Sequence, residues 1–259
     1  MIAIFYNSKT NPQNKSYALE IATKLDQYKI KHLLNPDEKD LKKINMAFSV
    51  GGDGTVLYTA NLLADQKVPI LGINFGHRGF LCEISKDEID KALEKIIQNK
   101  YKIEEKTRIQ AEIKKQKKES ATLDALNEIS IGGINRTVYL DLQIKTPERN
   151  LKTHIAGDGI IVSTRTGSTA YNINAGGPIL MTEALSLIAN NAFFQSDSLL
   201  PIAKSLILPA TASVSVTDSS HNSLNLPYVI ADGQKAIKIN KEDKIIIRKS
   251  PRKNYFVKL

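Results

Sequence analysis

Apolar and polar positions alternate in two different textures along the 259-residue chain. Residues 2–6 (IAIFY) form a short apolar run of the length of a buried strand. Tyr17, Ala18, Ile21, Ala22, Leu25 and Tyr28 then recur at helical spacing, which predicts a helix over 16–28. The same reading predicts a strand at 46–50, a helix at 55–64, a strand at 68–73 and a helix at 87–98. Strands that alternate with helices in this way imply a parallel sheet covered by helices. Near residue 100 the pattern shortens to strand-length runs at 101–114, 121–131, 137–145 and 155–163. Further strands are predicted at 205–208, 212–216, 228–231, 236–239, 244–248 and 255–258, interrupted by one helix at 182–190. The second part is therefore β-rich, with a boundary near 100.

Composition narrows the class. Apolar residues make up 42% and charged residues 24%, ordinary values for a globular chain. No apolar run approaches the roughly 20 residues of a membrane span, so no membrane partner is expected. The opening MIAIFYNSKT lacks a basic n-region and a cleavage site, and reads as a first strand. A single cysteine, Cys82, excludes an intrachain disulfide and fits a reducing, cytoplasmic setting. The net charge of +9 admits nucleic acid or small anions. Neither zinc-finger spacing nor an RRM-type aromatic signature accompanies it, and the basic run 114–118 reads as a solvated hairpin tip. The charge is read as attraction for polyanionic small molecules, with no nucleic acid partner.

Candidate chemistry begins at GGDGT, residues 51–55. Gly51, Gly52 and Gly54 let backbone N–H groups approach an anion closely, and the turn opens onto a helix N-terminus that favours phosphate. A P-loop would need a following lysine, and a dinucleotide fingerprint would need glycine where Leu57 stands. The turn carries its own carboxylate, Asp53. Beside phosphates, a carboxylate ligates Mg²⁺ or takes a proton from an attacking hydroxyl. Capping of the next helix is the plainer alternative, and the turn alone leaves both open.

Three more constellations accompany it. GINFGHRGFL (72–81) follows a strand and offers the aromatic face of Phe75 with the cations His77 and Arg78. GDGIIVSTRTGSTAYNINAGGP (157–178) sets Asp158 between glycines, then a run of hydroxyls at Ser163, Thr164, Thr166, Ser168, Thr169 and Tyr171. That density suits a polyhydroxylated, phosphorylated ligand. ALNEISI (125–131) sets Asn127 and Glu128 in an apolar strand, where one of the two points inward and needs a partner such as a ribose diol or an adenine edge.

Together GGDGT, GINFGHRGFL, LNE (126–128) and GDG with STRTGSTAYNINAGGPI (163–179) resemble the bacterial type of NAD kinase over residues 46–180. The resemblance implies a Rossmann-like α/β domain over 1–100 and a C-terminal β-rich, β-sandwich-like NAD-binding domain over 101–239, the tail from about 240 to 259 returning to the first. It implies transfer of the γ-phosphoryl group of ATP, or of polyphosphate, to the 2′-hydroxyl of the adenosine ribose of NAD, with NADP as product. By the same resemblance Asp53 is the general base, and Gly52, Gly54 and Phe75 line the nucleotide. Asn127, Glu128, Asp158, Ser168, Thr169, Ala170, Tyr171, Asn172, Asn174 and Gln234 are dinucleotide contacts. Mg²⁺ accompanies the triphosphate, no protein metal ligand is assigned, and a homodimer or homotetramer is implied.

Three positions depart from that pattern: Arg165 stands in place of proline, and Tyr58 and Ala156 in place of basic residues, with His77, Arg78 or Arg165 as substitutes for the lost cations. Two alternatives stay open. A lipid or sugar kinase could share the glycine turn, but would want an apolar cleft where the hydroxyl-rich loop lies. A non-catalytic NAD(P)-binding sensor would use Asp53 to bind without chemistry.

Overall fold

The structure is a computed structural model that describes residues 1–9, 11–64, 66–75, 79–116, 119–133, 137–193, 204–220 and 226–259. His77 and Arg78 lie outside the described residues. The chain divides into two units, Met1–Lys106 with Arg252–Leu259, and Thr107–Pro251.

The first unit is α/β. Its strands are β1 (Ile2–Tyr6), β2 (His32–Leu34), β3 (Met46–Val50), β4 (Pro69–Asn74) and the short β5 (Ile84–Ser85). Helices α1 (Gln13–Gln27), α2 (Asp53–Leu62) and α3 (Ile89–Ile97) connect them. The strands lie in the order β4-β3-β1-β2, all parallel, as crossover helices require. Ile4, Phe48, Val50 and Leu71 of the sheet pack with Ile21 and Leu25 of α1 and Leu93 of α3 in one core. Val50 pairs with Ile73, so GGDGT and GINF leave neighbouring strands at the same carboxyl edge, where ligands of such sheets gather.

The second unit is mostly antiparallel. It is built from β6 (Lys102–Lys114, of which Lys102–Lys106 belong to the first unit), β7 (Ala121–Ala125), β8 (Glu128–Gly132), β9 (Val138–Lys145), β10 (Asn150–Gly157) and β11 (Gly159–Ser163). The short helix α4 (Tyr171–Asn174) follows, then β12 (Ala184–Asn190), β13 (Ser205–Pro209), β14 (Ser213–Asp218), β15 (Tyr228–Ala231), β16 (Lys235–Lys238) and β17 (Lys244–Lys258). One sheet runs β13-β12-β11-β8-β15-β16, and β10, β9, β14 and the first half of β17 form another antiparallel layer. Strict alternation explains the packing. Val138, Leu140, Leu142 and Ile144 of β9 are buried while Tyr139 and Asp141 face outward. They share a core with Ile129, Ile131, Ile160, Val162, Leu185 and Leu187 of the other sheet. The last residues of β17 belong to the first unit, where Tyr255 and Phe256 pair in parallel with Pro69 and Ile70 of β4.

Four element readings change. The helix expected at 182–190 is strand β12, because Leu185, Leu187 and Ala189 alternate into the core while both edges are paired, by β11 and β13. Apolar residues dense enough to satisfy both periods, in a nine-residue window, left the pattern ambiguous. The strand expected at 121–131 is broken at Leu126–Asn127, and that at 155–163 is broken at Asp158. The strands expected at 244–248 and 255–258 are one strand.

Candidate active site

Asp53 is the first residue of α2, which begins two residues before the position expected from the apolar pattern. Gly52 takes the N-cap place, and no side chain caps the helix. The Asp53 carboxylate instead reaches the stretch after β4, where Oδ2 accepts the N–H of Phe80 at 3.0 Å and Oδ1 that of Leu81 at 3.1 Å. Gly79 makes this approach possible, since a Cβ there would lie 2.1 Å from Asp53 Oδ1. A Cβ at Gly52 or at Gly54 would meet none of the described residues within 4 Å. Phe75 stacks on Tyr17 of α1 with ring centroids 4.0 Å apart, so one of its faces is covered. Burial, and then the Asp53 charge, push the Cys82 thiol up to about 12, so the sulfur beside the turn stays protonated and unreactive.

In the second unit, the break between β7 and β8 is a braced corner. Asn127 and Glu128 are both buried, 6% and 7% exposed, where an unbroken strand would have turned one of them outward. Three consecutive N–H groups of the corner, from Leu126, Asn127 and Glu128, donate to the carboxylate of Asp232 at 2.9, 2.7 and 3.3 Å. On the carbonyl side, the Thr164 hydroxyl donates to Leu126 O at 2.7 Å and the Thr164 N–H to Asn127 O at 2.8 Å. Gly167 fits against the corner, where a Cβ would meet Asn127 O at 2.2 Å. Asn127 Oδ1 and Glu128 Oε2 are enclosed and have no hydrogen-bond partner among the described residues. Burial, followed by the negative charge of Asp232, raises the Glu128 carboxyl to about 7. Buried polar atoms without partners are costly, and a ligand's hydroxyl or amino group would satisfy them.

The hydroxyl-rich segment leads away from that corner as a 3₁₀ turn, Thr166–Thr169, and α4. Ser168 is fully buried and used inside the loop, its hydroxyl donating to Arg165 O at 2.7 Å and accepting the Leu180 N–H at 3.0 Å. Asn172 is also fully buried and donates to Ser168 O and Pro178 O, both at 2.9 Å. Thr169 and Ala170 are half-buried, and Tyr171 and Asn174 are exposed. Asp158 accepts the Asn191 amide at 2.7 Å and, with Tyr171, Ser130, Gly132, Tyr228 and Ile230, lines a cleft of about 560 Å³ on the six-stranded sheet. Gln234 is exposed two residues after Asp232. Arg165 lies 3.9 Å from Glu183, Tyr58 is exposed on α2, and Ala156 is buried in β10. The sequence reading missed Asp232, although its Asp-Gly pair between two strand-like runs marked a hairpin turn.

A parallel α/β unit with a carboxylate in a glycine turn, and a β unit with orphaned polar atoms beside a hydroxyl-rich loop, are the parts of a nucleotide-dependent phosphotransferase. The ATP-NAD kinase N-terminal domain matches residues 5–101 and the ATP-NAD kinase C-terminal domain residues 126–259. The chain belongs to the ATP-NAD kinase family. It is 34% identical to an NAD kinase of Carboxydothermus hydrogenoformans, over 86% of this chain and 77% of that protein. It is 32% identical to a bifunctional NADP phosphatase/NAD kinase of Methanocaldococcus jannaschii, spanning 86% of this chain but only 37% of that longer protein. The crystal structure of an NAD kinase from Archaeoglobus fulgidus in complex with ATP superposes with a TM-score of 0.76, at 25% identity, over 99% of this chain and 93% of that one.

Proposed function

We propose that the protein transfers the γ-phosphoryl group of ATP to the 2′-hydroxyl of the adenosine ribose of NAD, giving NADP. The observation that carries this reading is the braced corner at 126–128, whose buried Asn127 Oδ1 and Glu128 Oε2 have no partner among the described residues, partners that a nucleoside would supply. In this reading Glu128 faces the ribose diol and Asn127 the adenine edge, with Thr169, Ala170, Tyr171 and Asn174 on the exposed side of the loop as further contacts and Asp158 and Gln234 beyond them. Ser168 and Asn172 act by holding the loop's shape, which their internal hydrogen bonds support.

Asp53 is the base. Each of its oxygens accepts one N–H, from Phe80 and Leu81, and each keeps a second lone pair for the ribose hydroxyl. The bond that forms joins the 2′-oxygen to the γ-phosphorus, the bond that breaks releases ADP, and the hydroxyl proton passes to Asp53. No described residue lies within 4 Å of a Cβ built at Gly52 or Gly54, which supports room for phosphate beside Asp53. A magnesium ion would accompany the ATP, since Mg²⁺ is usually held largely by substrate phosphates, and no residue of this chain is assigned to it. Association into a homodimer or homotetramer and a cytoplasmic site of action, in keeping with the single cysteine, complete the proposal.

The test is incubation with ATP, Mg²⁺ and NAD, coupled to an NADP-specific dehydrogenase. An NADP-linked signal supports the kinase. Firm NAD binding without such a signal leaves a non-catalytic NAD-binding protein, and polyphosphate in place of ATP decides the donor.

A further inference from the structure

Asp232 sits in the turn between β15 and β16 at φ 50°, followed by Gly233 at φ 64°, and the Gln234 N–H closes the turn on Ala231 O at 2.9 Å. Two successive positive φ angles make the mirror-image hairpin turn, which Asn-Gly forms as readily as Asp-Gly. The backbone therefore does not call for a carboxylate here. Burial does not favour one either, because the residue is 7% exposed and its carboxyl is pushed upward by that burial. What only a carboxylate supplies is two acceptor oxygens on one side chain. Oδ2 takes the Leu126 N–H, while Oδ1 takes the Asn127 and Glu128 N–H groups. The Asp232 N–H returns a bond to Glu128 O at 3.1 Å.

Thr164 completes the brace from the opposite side. Its hydroxyl donates to Leu126 O and accepts the Gly167 N–H at 3.1 Å, which also locks the start of the hydroxyl-rich loop to the corner. Behind Asp232 stands Arg108, 1% exposed, whose charge favours the ionised carboxylate and which is itself paired with Asp124. The bonds from Leu126, Asn127 and Glu128 to Asp232 and those between Thr164 and the corner all use the corner's backbone, and among the described residues the Asn127 Oδ1 and Glu128 Oε2 atoms have no partner.

We propose that Asp232 is a positioning residue for the dinucleotide: its carboxylate fixes the backbone of residues 126–128 so that Asn127 and Glu128 meet the nucleoside already arranged. This rests on the reading of Asn127 and Glu128 as NAD contacts. Its action is pre-organisation, so its loss should weaken NAD binding without touching the donor or the chemistry.

Asp232→Asn is a discriminating variant, because Asn keeps the turn and the shape while presenting an NH₂ to one of the corner's N–H groups. The full-length enzyme carrying it should show a KM for NAD raised about tenfold, the scale of a lost charge-assisted hydrogen bond, with kcat and the KM for ATP within about threefold. Introduced into the double variant Asn127→Ala/Glu128→Ala, the same change should add less than about twofold, since no side chains are left to position. Thr164→Ala should reproduce the rise and Thr164→Ser should restore it, and this pair decides the matter if Asp232→Asn does not fold. An Asp232→Asn enzyme that melts normally and keeps its KM for NAD overturns the proposal. So does a variant that raises both substrate KM values equally, or one additive with the double variant. A double variant whose KM for NAD is unchanged fails differently: the corner is then not an NAD contact, and the site reading falls together with the proposal.

Discussion

The Asp53 carboxylate accepts the N–H of Leu81 at 3.1 Å, tying the first turn of α2 to the stretch after β4 across 28 residues of sequence. With the companion bond from Phe80, this fixes where the proposed base stands, although neither bond is part of the chemistry. Asp53→Asn keeps an acceptor oxygen for one of the two N–H groups but cannot take up the ribose proton. Turnover is expected to fall by about 10²-fold or more, while the KM for NAD changes little. Steady-state kinetics with NAD and ATP varied separately checks this. Equal loss of binding and rate would make Asp53 a substrate contact instead.

Gly79 offers a second route to the same carboxylate. A methyl group at Gly79 would lie 2.1 Å from Asp53 Oδ1 and 2.6 Å from Oδ2, so the carboxylate or the segment must move. Gly79→Ala should lower kcat by about tenfold or more, because small misplacements of a catalytic group are costly, and destabilise the fold by about 1–3 kcal/mol. Kinetics and a denaturant titration measure the two effects. A variant with full turnover would show that the position of the carboxylate does not limit the reaction.

The sequence disclosed what is periodic or carried by local composition. β1, β3 and β15 have the bounds that the apolar pattern predicts, and the glycine and hydroxyl motifs carry the family resemblance that the two domain matches bear out. What stayed hidden was non-local. Nothing in ALNEISI reveals that the strand breaks at Leu126–Asn127, because the break is held by Asp232, 105 residues from Asn127. Nor does GGDGT show that Asp53 turns away from its own helix toward Phe80, 27 residues later. The helix misread at 182–190 has the same origin: only the flanking β11 and β13 select the strand.

Glu128 makes stability depend on pH. Its carboxyl is raised from an ordinary 4.5 to about 7, first by burial and then by Asp232. Below 4.5 the group is protonated in folded and unfolded chains alike, and its contribution is fully present. As pH rises toward 7 the unfolded chain gives up the proton first, so stability falls across that window and levels above it. The total loss is on the order of 3 kcal/mol. Glu128→Gln removes the titration, so its stability relative to the parent should improve from the acid end of the window to neutrality and then stay constant. Urea unfolding of both proteins across the window tests this. Parallel profiles would mean that Glu128 ionises as an ordinary surface carboxylate does.

The outer face of the six-stranded sheet is one place where the proposed assembly can be tested. Ile129 and Ile131 of β8 and Val229 of β15 point into the core, so by strand alternation Ser130, Tyr228 and Ile230 point the other way. Ser130 pairs with both Ile161 and Ile230, but Ile161 is only 1% exposed, so the open part of this row lies on β8 and β15. On the same face of β13, Ile207 is 63% exposed, and Met181, before β12, is 83% exposed. Exposed apolar side chains mark an interface where they form one patch, and an antiparallel sheet can present one face without disturbing its core. Ile230→Asp should therefore leave the protomer folded, because that side chain is only half-buried, while placing a charge on this face. Sedimentation should show the parent as a dimer or tetramer and the variant shifted toward monomer, with little change in far-ultraviolet circular dichroism. A parent that sediments as a monomer at assay concentration, or an Ile230→Asp variant that associates as firmly as the parent, would exclude this face as the interface.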